Sequence, residues 1–171
     1  ALGLLQKSGG SAIGVCTFCN SVPFYGRSAL CIDNLNVQSI LPRIKRPVTT
    51  FGFTKQADVR AENITYSKSV TTFDVYAENT ELGTIILNVP GDHNILNALA
   101  AICLAIELEV SFEHIQQGLL AYSGVWRRFQ ILHETSKNIM IIDDYAHHPS
   151  EVSATLQAAR SGWNRRIIAV F

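Results

Sequence analysis

The chain has 171 residues, 14 Lys+Arg against 14 Asp+Glu, and 47% hydrophobic residues against 16% charged ones. Zero formal charge argues against a general binder of nucleic acid or of an anionic membrane, which needs a basic surplus. The composition is that of a core-forming chain, not a disordered one, and its longest apolar run, Ala98 to Ile106, is nine residues, about half of what spans a bilayer.

The first residues, 1–19, read weakly, with Gly9-Gly10 breaking any pattern. Cys16 and Cys19 form a C-x-x-C with no second pair and no His at finger spacing. Small buried hydrophobes are the plain reading, zinc or redox chemistry the alternative. The four cysteines are sparse and unevenly spaced, which does not fit a disulfide framework. No initiator Met and no basic n-region opens the chain, so no signal peptide is expected.

Residues 27–33 are a short apolar run closed by Asp33-Asn34, which reads as a buried strand and a helix cap. Leu35, Ile40 and Leu41 continue at loosely helical spacing until Pro42 stops them. A second strand, 48–53, completes a βαβ-like order. Three antiparallel strands are expected over 57–89. Val59, Ala61 and Ile64 approximate alternation, Phe73 and Val75 alternate with Thr72, Asp74 and Tyr76, and Asn79-Thr80-Glu81 makes a turn. A helix over 92–108 presents Leu96, Leu99, Ala100, Cys103 and Leu104. Another starts at Ser111, its cap, and ends at Ser123-Gly124, the best position for a domain junction. Residues 128–134 and 138–142 read as a hairpin. Pro149 opens a helix with Val152, Leu156 and Ala159 on one face. A final buried strand begins near Arg166. With both ends reading as cut, the expectation is a fragment of a longer protein.

Three constellations carry candidate chemistry. In Gly91-Asp92-His93-Asn94-Ile95-Leu96-Asn97, Asn94 and Asn97 lie one turn apart. A side-chain amide matches the N6/N7 edge of adenine; the alternative is that Asp92 caps the helix and the Asn residues satisfy loop backbone. In Trp126-Arg127-Arg128-Phe129, a strand sends the two Arg side chains to opposite faces. One is then free to meet a phosphate with its planar fork; the alternative is an edge-strand charge pair. In 141–149, two acids, a phenol and two imidazoles follow a buried strand, where α/β sheets bind ligands. The alternatives there are a metal site and simple capping before Pro149. No Gly is followed by Lys, so the chain has no G-x-x-x-x-G-K-[ST] phosphate loop.

Together these blocks resemble the Mur ligase family over about residues 18–171. The resemblance begins in Asn20-Ser21-Val22-Pro23-Phe24-Tyr25-Gly26 and Cys31-Ile32-Asp33. It continues through Gly91-x-His93-Asn94-x-x-Asn97-Ala98, Arg127-Arg128-Phe129 and Asp143-Asp144-Tyr145-Ala146-His147-His148-Pro149-x-Glu151. Phe129, Tyr145 and Glu151 look more like the branch that adds L-alanine to UDP-N-acetylmuramate than the one that adds a tripeptide.

The resemblance implies an α/β fold: a mixed sheet with an antiparallel sub-sheet, plus the beginning of a Rossmann-like C-terminal domain. Residues 1–17 stay unplaced, 18–124 fall in the second half of the central ATPase domain, and 125–171 start the C-terminal domain. It implies a bacterial, cytoplasmic, ATP-dependent ligase of peptidoglycan synthesis, working through an acyl phosphate, with UDP-N-acetylmuramate and L-alanine as substrates. His93, Asn94 and Asn97 would hold adenine, Arg128 (with Arg127 second choice) the terminal phosphate, and Asp144 the ribose. Tyr145, His147 and His148 would line the L-alanine side, with Arg128, His147 and His148 at the chemistry. The Mg2+ ligands and the phosphate loop would lie upstream, and no metal is expected on this segment. Neither nucleic acid nor membrane is an expected partner, and self-association through the last strand is. The 171 residues alone are expected to make no amide bond. The competing readings are a non-catalytic nucleotide-binding module and a metal-dependent hydrolase using Asp143, Asp144, His147 and His148.

Overall fold

The computed structural model describes residues 10–170. The expectations for residues 1–9 and Phe171 lie outside them.

Helix α1 (Gly10–Ser21) leads to β1 (Ser28–Cys31), the short helix α2 (Leu35–Ile40) with a 3-10 turn over Leu41–Arg43, and β2 (Val48–Gly52). Asn34 caps α2 as expected, its side chain accepting from the N–H groups of Asn36 and Val37. Asp33 does something else. Its carboxylate accepts from the N–H groups of Phe53 (2.7 Å) and Thr54 (3.3 Å) and so fixes the loop after β2.

Strands β3 (Val59–Ser67), β4 (Val70–Ala77) and β5 (Thr80–Leu87) complete a sheet of order β1-β2-β3-β4-β5. The β1–β2 and β2–β3 pairs are parallel, β3–β4 and β4–β5 antiparallel. The imperfect alternation of Val59, Ala61 and Ile64 has a cause. The β3–β4 register shifts between Glu62 and Thr65, and Asn63 takes a positive φ of 51° there, so one extra residue moves the apolar set along by one. The turn expected at 79–81 is a residue or two earlier: Ala77 pairs with Thr80, leaving Glu78-Asn79 as the loop.

Helix α3 (Asp92–Glu107) covers one face of the sheet. Phe51, Phe73, Val75, Ile85 and Leu87 meet Ile95, Leu99 and Ile102 in the principal core, each such side chain contributing about 1.5–3 kcal/mol by leaving water. The buried face of α3 is rotated from the expected one. Ile95, Ala98 and Ile102 join Leu99 and Cys103, while Leu96 and Ala100 are half-buried and Leu104 is 51% exposed. With nearly every position apolar, periodicity alone does not choose the face. Helix α4 (Phe112–Ala121) packs Phe112 and Ile115 against β5 and anchors Gln116 Nε2 on the Thr84 carbonyl.

Strands β6 (Gln130–Glu134) and β7 (Met140–Asp143) form the expected hairpin, followed by α5 (Pro149–Gly162). Their small core is Phe129, Ala158 and Trp163, with Met140, Ile142 and Ala159 against it; the Phe129 and Trp163 rings stack 5.3 Å apart. Two expectations fail here. Arg127 and Arg128 are not strand residues but sit in a turn before β6, so strand alternation does not separate them. The turn wins because Gln130 Oε1 captures the Arg127 N–H and Asp144 captures the Phe129 N–H. Residues 166–170 form no strand and lie exposed, since among the described residues no neighbouring strand offers them a ladder.

Candidate functional site

Three segments converge where α5 meets α3: the start of α3, the 126–129 turn and the 143–148 loop between β7 and α5. Gly91 makes the approach possible. Its φ is +96°, and a Cβ there would stand 2.8 Å from the His93 ring and 2.9 Å from the Ala158 methyl of α5. Gly162 plays the same part at the other end of α5, since a Cβ would come within 2.7 Å of the Lys68 carbonyl in the β3–β4 turn. A cleft of about 310 Å³ remains between the elements, lined by Tyr66, Asp92, His93, Gln157 and Ser161 among others.

The first constellation divides its duties. Asp92 is the first residue of α3, not its cap, and accepts a hydrogen bond from the Tyr66 hydroxyl. Burial, and after it this bond to Asp92, hold the Tyr66 phenol in its protonated form well above the usual range. Asn94 Nδ2 donates to the Pro90 carbonyl at 2.8 Å, as the loop-satisfying alternative required, leaving its Oδ1 and second N–H. Asn97, one turn on, is exposed. His93 is half-buried, and burial pushes its imidazole below the usual histidine range. The Arg128 charge adds to that shift, and the Asp144 and Asp92 carboxylates oppose it.

The two arginines are separated after all, by partners. Arg127 Nε lies 3.2 Å from Asp143 Oδ2, and its guanidinium sits 5.1 Å from the centre of the Tyr145 ring. Arg128 is exposed and bears on the ionisation of both His93 and Glu151. Positive φ at Arg127 (57°) and Phe129 (46°) brackets it.

In the third constellation each acid has a different task. Asp143 pairs with Arg127. Asp144 accepts from the N–H groups of Phe129 (2.8 Å) and Ala146 (2.7 Å) and from the Thr155 hydroxyl (3.1 Å). Glu151, in the first turn of α5, accepts from the N–H groups of His147 and His148, which hold its carboxyl below the usual range. His147 is exposed, its ring 5.3 Å from that of Tyr145. His148 is half-buried, with Nδ1 2.8 Å from Ser150 Oγ. Among the described residues no group of three or more His, Cys, Asp and Glu side chains is placed to hold a metal ion. Cys19 is buried beside Leu30 and Val37, Cys16 is half-buried one turn away, and both are free thiols.

The sequence reading missed Tyr66 and the Arg127–Asp143 pair, which no local pattern announces. It also gave Glu151 no task, although a Glu two residues after a Pro at the first helical position is a capping signal.

A parallel-to-antiparallel sheet under one long helix, followed by a hairpin and helix that close over that helix's start, is an arrangement shared with ligases of known structure. The family model described as "Mur ligase middle domain" matches residues 15–105, and the one described as "Mur ligase, glutamate ligase domain" matches residues 127–171. The chain belongs to the Mur ligase family.

Among curated proteins it is 49% identical over 154 residues to the UDP-N-acetylmuramate–L-alanine ligase of Geotalea daltonii, covering 90% of this chain and 33% of that protein. It is 50% identical over 155 residues to the enzyme of the same name from Salinibacter ruber, covering 90% and 32%. This chain thus spans about a third of the length of these relatives. The crystal structure of the UDP-N-acetylmuramate-alanine ligase of Thermotoga maritima matches 74% of this chain and 33% of its own at 30% identity and a TM-score of 0.61. That of MurF from Acinetobacter baumannii, at 24% identity, shares the fold over 94% of this chain with a TM-score of 0.78. No described helix is long and apolar enough to cross a membrane.

Proposed function

We propose that residues 18–124 belong to the central ATPase domain, and residues 125–171 to the start of the C-terminal domain, of a cytoplasmic bacterial ligase. It joins L-alanine to UDP-N-acetylmuramate at the expense of ATP. The observation that carries this reading is the joining of three segments at one place: Asp144 ties the 143–148 loop to the turn that bears Arg128 through the Phe129 N–H at 2.8 Å, and α5 seats on Gly91 beside His93. The identity to two ligases of that name supports the choice of substrates.

The residues fit a nucleotide in distinct ways. Asn97 and the remaining edge of Asn94, beside His93, match the adenine N6/N7 pair. Asp144 has used three of about four acceptor positions and keeps one for a ribose hydroxyl. Arg128 is the cation left for the terminal phosphate, since Arg127 is held by Asp143 and Tyr145. Tyr145, His147 and His148 line the amino-acid side.

ATP supplies a phosphoryl group to the sugar-acid carboxylate. The amine of L-alanine then attacks that carbonyl and phosphate leaves. The work of this segment is placement and charge neutralisation. The Mg2+ ligands would belong to the upstream part of the ligase, as the family resemblance implies.

The test is phosphate release by the longer protein carrying this segment. Release that requires both UDP-N-acetylmuramate and L-alanine, and falls about 100-fold or more with Arg128→Ala, is the expected result. Release driven by a tripeptide and not by L-alanine would replace this reading with the tripeptide-adding one.

A further inference from the structure

The donors on Asp144 are divided unevenly between its two oxygens. Oδ2 accepts from the Phe129 N–H and from the Thr155 hydroxyl, while among the described residues Oδ1 accepts from the Ala146 N–H alone. A carboxylate oxygen offers about two acceptor positions. Oδ2 is therefore filled and Oδ1 keeps one place.

Thr155 lies in the second turn of α5, where Cβ branching leaves it two rotamers, and the one it adopts puts its hydroxyl 3.1 Å from Asp144 Oδ2. Phe129 is a bulky residue in the left-handed region, a conformation that persists only when its surroundings impose it. Two anchors impose it here: the Asp144 Oδ2 contact, and the ring of Trp163, the residue that ends α5, which stacks on Phe129.

We propose that Thr155 is a positioning residue for the nucleotide. By donating to Asp144 Oδ2 it keeps that oxygen on the Phe129 N–H, reserves the last acceptor place on Oδ1 for a sugar hydroxyl, and holds the turn that presents Arg128. The inference rests on the roles of Asp144 and Arg128 proposed above. Without the hydroxyl, Oδ2 keeps only the Phe129 N–H, the carboxylate is held about its Cβ–Cγ bond by one donor on each oxygen in place of three in all, and the turn loosens with it.

Thr155→Val removes the hydroxyl at nearly constant shape, and Thr155→Ser keeps it. On the 171-residue chain, two quantities are read: hydrogen exchange at the Phe129 amide, and affinity for Mg-ATP against its 2′,3′-dideoxy analogue. Thr155→Val is expected to speed Phe129 exchange about tenfold, weaken ATP about tenfold and erase the preference for the ribose form; Thr155→Ser is expected to keep all three. Unchanged Phe129 exchange, or an unchanged ribose preference in Thr155→Val, overturns the proposal. If the unsubstituted chain itself does not prefer ribose, the role of Asp144 falls, and with it the nucleotide role of Thr155. In that case a fast-exchanging Phe129 in Thr155→Val would still separate this failure from a failure of the Thr155 contact.

Discussion

His93 has an imidazole that burial keeps neutral, and this ties the stability of the chain to pH. Its folded pKa lies below the ordinary value of 6.5 that the unfolded chain keeps. Above that value both states are neutral and nothing is lost. As pH falls through it, the unfolded chain takes up the proton first, so stability declines until the folded pKa is also passed. Asp92 and Asp144 soften the decline and Arg128 sharpens it. Urea midpoints of the chain and of His93→Gln, measured at pH 7.5 and pH 5.5, are expected to converge at the lower pH. An acid loss of the same size in both would assign the effect to other groups. The neighbouring assignments show what a sequence reveals at this scale. The capping role of Asn34 is local and was legible. The pairing of Arg127 with Asp143 spans a hairpin and was not, so the two arginines were told apart for the wrong reason: their partners separate them, not strand alternation.

The elements meet through small contacts rather than broad ones. Helix α5 reaches α3 at Gly91 and the β3–β4 turn at Gly162, and both positions are closed to a side chain. Gly91→Ala combines an unfavourable φ with collisions against His93 and Ala158, and is expected to cost about 2 kcal/mol or more. Gly118→Ala in α4, where a Cβ meets nothing within 4 Å, is expected to stabilise by about 0.5–1 kcal/mol. Thermal midpoints of the two variants check this, and equal shifts would mean that α5 does not seat on Gly91 as described. Strands β1 to β5 and helices α3 to α5 were readable because their signals are local: a period, a cap, a proline. The buried face of α3 was not, because a helix apolar on nearly every side is oriented only by the sheet it covers. Residues 166–170 read as a strand for their β-branched composition, yet a strand exists only where a neighbour accepts its ladder.

At the scale of the molecule the described residues form three packing centres, one around Cys19, Leu30 and Val37 and two that carry the candidate site: the large one on the five-stranded sheet and the small one around Phe129, Ala158 and Trp163. The candidate nucleotide residues are shared between these two: His93, Asn94 and Asn97 from the large one, Arg128 and Asp144 from the small one. Their alignment therefore depends on how α5 sits over α3, and a segment that spans about a third of its relatives is expected to hold ATP weakly. Titration of the 15N-labelled chain with Mg-ATP and Mg-GTP, followed through backbone amide shifts, tests the shared subsite most directly. The account predicts shifts at residues 93–97, 127–129 and 144–146 with ATP. With GTP, or with ATP on Asn97→Ala, binding should weaken by about 1–3 kcal/mol. Equal binding of ATP and GTP, with Asn97→Ala unchanged or with shifts confined to α1 or β6, would contradict it.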